Sequence, residues 1–339
     1  MAFIEPFKGD PDRFRGCIIA GAAGDALGYA VEFDRLPAIL KRYGPDGITA
    51  YKLTDGKALI SDDTQMTLYT LDSLLHGKAD GGYFAAIWRG YQDWYITQDG
   101  RGEPTKGVQS ILNELPEMNH PRAPGNTCLQ ALYGKVPGTL EAPVNHSKGC
   151  GGIMRVAPCG LYFKDIRKAA KGAAEAAAMT HGHELGWLPA AAFAAMVNLA
   201  AWTDLPFYEL VDEAMAVVNE LWPDAESLPL LNALIKKTVE LSLSGERDRD
   251  AIKMLGEGWV GDEALAVALF CVLRHSDDLK GCLIAAVNHD GDSDSTGSIA
   301  GNLLGARLGL SALPEEFRED LELYDIIYGL AGKLCRYAE

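Results

Sequence analysis

The sequence lacks an excess of positive charge, a paired-cysteine framework and runs of β-branched residues. Its 31 lysines and arginines stand against 47 aspartates and glutamates, a net charge of −16 at pH 7. That disfavours nucleic-acid binding through a basic face, which needs clustered cations to neutralise phosphates. The seven cysteines are an odd number and form no CxxC pair. They read as reduced, mostly buried small hydrophobes in a cytoplasmic protein. Without repeated Val, Ile and Thr runs, no sheet is expected. No linker, repeat or block of like charge divides the chain. The opening MAFIEPFKGDPDRF has no basic-then-apolar signal pattern. The most apolar run, GWLPAAAFAAMVNLAAW from Gly186 to Trp202, is broken by Pro189 and Asn198. It is short for a membrane span and suits a buried helix, so no membrane partner is expected. With 48% apolar residues the core is ample. These features predict an all-α protein: an extended segment over residues 1–12, then one helical domain over 13–339.

What is present centres on NHDGDSDSTGSIAGNLLGARLG, from Asn288 to Gly309. Asp290, Asp292 and Asp294 alternate within five residues. Carboxylates this dense repel unless a cation neutralises them, and hard cations favour oxygen ligands. The bland alternative is a helix N-terminus with acidic caps. A helix-loop-helix Ca2+ site counted from Asp290 would need glycine at position six and glutamate at position twelve, where Ser295 and Gly301 stand. An aspartyl-phosphate phosphatase built on Asp292, Asp294 and Thr296 would need an α/β domain downstream, but only about 40 helical-looking residues follow. Gly297, Gly301, Gly305 and Gly309 recur every fourth residue, as do Gly16, Ala20, Gly24 and Gly28 near the N-terminus. Each set leaves a bare stripe on a helix, and the two stripes are expected to pack against each other.

A second acidic pair, Asp62-Asp63, opens LISDDTQMTLYTLDSLLHG. Ser61 or Asp62 is expected to cap that helix, with Asp62 to Gln65 resembling a capping box. Capping needs one acid, not two, so the pair is also a candidate ligand set. Glu32 follows GDALG, where it reads as a surface carboxylate or a chemical one. Asn126 or Thr127 is expected to cap a short helix. The run SKGCGG presents backbone N–H groups around Gly149, Gly151 and Gly152, as an anion cradle or an ordinary turn. His181 and His183 mark a helix junction, and irregular stretches are expected over 41–59 and 98–107.

In chain order, GAAGDALGYAVEF, SDDTQMTL, SKGCGGIMRVAP, THGH and NHDGDSDSTGSIAGNLLGA resemble the blocks of the ADP-ribosylglycohydrolase family. The resemblance implies a compact orthogonal helical bundle holding two divalent cations, Mg2+ or Mn2+. Their implied ligands here are Ser61, Asp62, Asp63, Asp292, Asp294 and Ser295. Glu32 matches a general acid/base or metal-gating glutamate, with Asp62 and Asp63 beside it in the catalytic set. The implied substrate contacts are Asn126, Thr127, Ser147, Gly149, Cys150, Gly151, Gly152, Met154, Arg155 and His181. The implied reaction is hydrolysis of ADP-ribose from a modified protein, foremost at arginine, by metal-activated water attack on the ribose anomeric carbon. Alternatives are a serine or small-molecule linkage, or a non-catalytic ADP-ribose-binding protein. The chain departs from many relatives at Asp290-Gly291, where Gly-Gly is common, and at Lys148.

Overall fold

The two small-residue stripes meet backbone to backbone. A Cβ built on Gly24 would lie 2.0 Å from the Gly297 carbonyl oxygen, and one on Gly301 would lie 2.0 Å from that of Ala20. Both contacts are impossible for a real side chain, so the stripes set the approach of the first helix to the penultimate one. The computed structural model describes residues 9–77, 82–98 and 110–339. In order, its α-helices are α1 (Pro11–Tyr29), α2 (Leu36–Tyr43), α3 (Asp62–His76), α4 (Tyr83–Thr97), α5 (Asn126–Tyr133), α6 (Ala157–Tyr162), α7 (Ile166–Ala178) and α8 (Glu184–Trp202). They continue with α9 (Phe207–Leu221), α10 (Leu228–Ser242), α11 (Asp248–Leu255), α12 (Gly261–Arg274), α13 (Leu279–Val287), α14 (Ser293–Leu308) and α15 (Tyr324–Tyr337). Among the described residues β-structure is limited to three isolated bridges, one of which ties Ala58 to Leu321. The architecture is all-α.

The apolar run forms α8, the only described helix long and apolar enough to cross a membrane, and its most apolar window is wholly buried inside the protein. Helices α6, α7, α9, α12 and α14 pack around it. Asn198 interrupts the run for a reason: its amide donates to the carbonyls of Gly160 and Phe163 and satisfies the end of α6.

Local expectations needed correction at four places. Helix α1 begins at Pro11, with Asp10 as its cap, so Pro11 and Asp12 belong to the helix and not to an N-terminal extension. Residues 41–43 are the end of α2, which the turn signals downstream obscured. At α3 the cap is Ser61, whose hydroxyl accepts from the Asp63 N–H. Gln65 forms no capping box: its amide oxygen accepts from Trp94 and Gln98, and its nitrogen donates to the His120 carbonyl. Neither Asn126 nor Thr127 caps α5, because Gly125 occupies the cap and the two residues lie inside the first turn. The stretch 99–107 lies outside the described residues.

Candidate active site and divalent-cation centre

The α1–α14 contact places the ends of both helices beside the start of α3. Glu32 sits just past α1, Asp62 and Asp63 open α3, and Asp292 and Asp294 open α14. All five carboxyl-bearing residues are buried and line one cavity of about 200 Å³. Carboxyl oxygens of Glu32, Asp292 and Asp294 lie within 4.8 Å of one another. The bland reading of an acidic helix cap fails here. Asp292 occupies the cap position of α14 without capping it, and its Oδ2 instead accepts from the Cys150 thiol at 2.7 Å.

Burial raises these carboxyls, because low dielectric disfavours the charged form, and the Asp294 charge raises its neighbours further. Glu32 is pushed up to about 10 by burial and then by Asp294, Asp292, Asp62 and Asp25. Asp62, Asp63 and Asp292 are driven well above the carboxylate range by the same two causes in the same order. Two buried oxygens, Glu32 Oε2 and Asp63 Oδ2, have no hydrogen-bond partner. Unpaired buried acceptors are costly, and an all-oxygen set at this spacing fits a hard divalent cation. Glu32, Asp62, Asp63, Asp292 and Asp294 would hold it, with Ser295 on the same wall. Ser61 is fully buried at the cap of α3 and does not line the cavity, though its hydroxyl reaches Asp294.

One determinant was not singled out from the sequence. Asp25, in the GDALG segment, is completely buried and accepts from the backbone N–H groups of Ser61 and Thr64 and from the Thr64 hydroxyl. It holds the first turn of α3 and so aims Asp62 and Asp63. Burial, followed by Asp294, raises it to about 7. A charged residue in a stripe of small apolar ones was the available signal. From the other side, the Asp62 N–H donates to the Arg122 carbonyl at 2.9 Å, and the Arg122 guanidinium pairs with buried Glu322 at 3.0 Å.

The opposite wall comes from the expected substrate residues. Asn126, Thr127, Gly149, Cys150, Gly151, Met154 and His181 all line the cavity. Gly151 lies so close to Cys128 and His181 that a Cβ would come within 2.9 Å of both. Three of these expectations resolve differently, while His183 keeps its expected place at a helix junction. Ser147 lies behind the wall, hydrogen-bonded to Thr127 and to the Gly149 N–H. Gly152 is turned against the Gly186 carbonyl. His183 caps α8 by accepting from the Leu185 N–H. Arg155 is wholly buried, bonded to Thr180 Oγ1 and the Ala176 carbonyl, and stacked over Tyr91. It lies at the C-terminal end of α7, where the helix dipole favours a cation, and it supports the wall without lining the cavity. Thr180 Oγ1 in turn lies 2.8 Å from His181 Nδ1. Burial, then the Arg155 charge, lower His181 to about 3, so it stays neutral.

Asp290 is not part of the cluster. Its Oδ1 accepts from the Leu36 N–H at 2.7 Å, so it ties the start of α2 to the α13–α14 turn. Trp259 is a cavity residue for which the sequence suggested no role. Its carbonyl accepts from the Cys150 N–H, which joins the 256–260 loop to the glycine loop. A larger surface hollow of about 590 Å³, lined by Lys57, Glu117 and Arg318 among others, shares no residue with this site.

A family model described as ADP-ribosylglycohydrolase matches residues 8–339. ADP-ribosylhydrolase ARH3 of Homo sapiens is 24% identical over 352 residues, covering 96% of this chain and 93% of that protein. ADP-ribosyl-[dinitrogen reductase] glycohydrolase of Rhodospirillum rubrum is 24% identical over 329 residues, covering 92% of this chain and 91% of its own. A solved structure titled ADP-ribosylglycohydrolase-related protein complex superposes with a TM-score of 0.65 at 24% identity, over 98% of this chain and 100% of the other.

Proposed function

Because this chain belongs to the ADP-ribosylglycohydrolase family, hydrolases that remove ADP-ribose from modified targets, we propose that its target linkage is ADP-ribosyl-arginine on protein and that the reaction depends on divalent cations. The observation that carries this reading is the buried cluster of five carboxyl-bearing residues with two unpartnered oxygens. Cations held there, hard ones by donor type and two Mg2+ or Mn2+ by the family resemblance, would supply charge to fix ribose hydroxyls and acidify a water.

The remaining steps belong to the chain. The cavity of about 200 Å³ takes the target-linked ribose, and the rest of the ADP-ribosyl group extends along the Gly149–Gly151 loop. The neutral His181 ring faces the ligand without adding charge. Glu32 Oε2, aimed inward and without a protein partner, would be ionised once cations neutralise the neighbouring carboxylates that raise it, and it then accepts the proton of the water that attacks the anomeric carbon. The C–N bond breaks as the C–O bond forms, its electron pair leaves with the guanidine nitrogen, and Glu32 returns the proton there. The Rhodospirillum rubrum relative is named for action on a protein, which supports a protein target. The seven free thiols are in keeping with a cytoplasmic setting.

Release of free ADP-ribose from arginine- and serine-linked peptides tests the proposal, with Mg2+ or Mn2+ restored after chelation. The expected result is cation-dependent release with arginine preferred. Faster release from serine would replace the linkage. Binding of ADP-ribose without release from either would indicate a binding protein.

A further inference from the structure

Phe33 follows Glu32 directly, yet its ring is 75% exposed. It stacks on Trp259, with ring centroids 6.4 Å apart and planes 19° from parallel. Trp259 lines the cavity and is itself 40% exposed. The pair therefore forms part of the rim beside the carboxyl that moves the proton. Its supports are rigid. The Asp292 N–H donates to the Glu257 carbonyl, the Cys150 N–H to the Trp259 carbonyl, and the Leu36 N–H to Asp290. Two arginines near the pair are ion-paired, Arg35 with Glu257 and Arg42 with Asp34. An incoming planar cation would meet exposed aromatic surface there.

Glu32 marks where the leaving group departs, so Phe33 stands on the leaving-group side of the site. We propose that the Phe33–Trp259 pair selects a cationic leaving group, the guanidinium of an ADP-ribosylated arginine lying against the aromatic faces. Arg guanidinium is planar and weakly hydrated, and it stacks on aromatic rings where a serine hydroxyl gains nothing. This rests on the arginine reading above and adds the element that enforces it.

The test compares kcat/KM for arginine- and serine-linked ADP-ribosyl peptides of identical flanking sequence, in wild type, Phe33→Leu, Phe33→Trp and Trp259→Leu. Phe33→Leu keeps an apolar side chain but removes the π face. It should lower the arginine-to-serine ratio by roughly 2- to 30-fold, the span of a cation–π contact. Trp259→Leu should shift it the same way, and Phe33→Trp should preserve it. Because Phe33 is exposed, none of its substitutions threatens folding, and ADP-ribose affinity should stay at the wild-type value in both Phe33 variants. An unchanged ratio, or equal losses on both substrates, overturns the proposal. A wild type that cleaves only the serine-linked peptide overturns the arginine reading and this inference together, and shows it before any substitution is made.

Discussion

Asp294→Asn should make the cation-free protein more stable while abolishing turnover. Asp294 is the common neighbour in the cluster, since its charge raises Asp25, Glu32, Asp62, Asp63 and Asp292. At 4.8 Å, the upper bound on the separations within the Glu32–Asp292–Asp294 group, two full charges would repel by about 3.5 kcal/mol at an effective dielectric of about 20, and by less to the extent that the raised carboxyls keep their protons. The amide keeps the shape and can still accept from the Ser295 N–H, as Asp294 does now. For 339 residues an unfolding entropy of about 2.1 cal/mol/K per residue makes 3.5 kcal/mol worth about 5 °C. Thermal unfolding in chelator should thus show the variant melting above wild type, by up to about 5 °C. Added Mg2+ should reverse the order. Wild type gains about 4.1 kcal/mol when the cation stands at about 1,000 times its Kd, more than the variant's lead, and the variant, lacking a ligand charge, gains much less. If the variant melts at or below wild type in chelator, the cluster is not held together against its own charge and the cation assignment loses its physical basis.

Glu32→Gln should reduce turnover by about 10²–10⁴-fold, the usual worth of general acid–base catalysis, while ADP-ribose still binds when cation is present. Near-normal turnover would remove Glu32 from the mechanism, and lost binding would make it a support for the cation. Gly301→Ala should destabilise the fold by at least about 1–3 kcal/mol in denaturant unfolding, because its Cβ would lie 2.0 Å from the Ala20 carbonyl oxygen in a packed core. A neutral result would mean that α1 and α14 can separate freely. His181, with a folded value of about 3 against an ordinary 6.5, binds its proton more readily when unfolded. Its contribution to stability is therefore complete above about pH 6.5 and is lost as pH falls toward about 3, on the order of 5 kcal/mol in all. The difference in unfolding free energy between wild type and His181→Gln should slope with pH across that window, and a flat difference would refute neutral burial.

The features legible in sequence were those with a local physical cause. Helical periodicity and the scarcity of β-branched runs gave the all-α class. Glycine every fourth residue announced a close helix contact, and α1 and α14 make it. Adjacent aspartates that capping alone did not require marked the two acidic openings, and both face the same cavity. Reading roles from local sequence failed where a side chain's partner lies elsewhere in the chain. Gln65 looked like half of a capping box, but Trp94 and Gln98 claim its oxygen. The family resemblance made Arg155 a substrate contact, but its burial under Tyr91 turns it toward Thr180.

By itself, then, the sequence determined the helical class, the stripes and the kinds of ligand available, because periodicity, backbone bareness and carboxylate hardness are properties of a few neighbouring residues. Tertiary structure alone decided which carboxylates face one another. It made Asp25 the anchor of Ser61 and Thr64, removed Asp290 from the cluster to cap a helix 254 residues away, and set Phe33 against Trp259 beside Glu32. Those outcomes depend on where α1 and α14 touch, a contact made by residues nearly the whole chain apart. Its consequences for charge and exposure exist only once the core has closed.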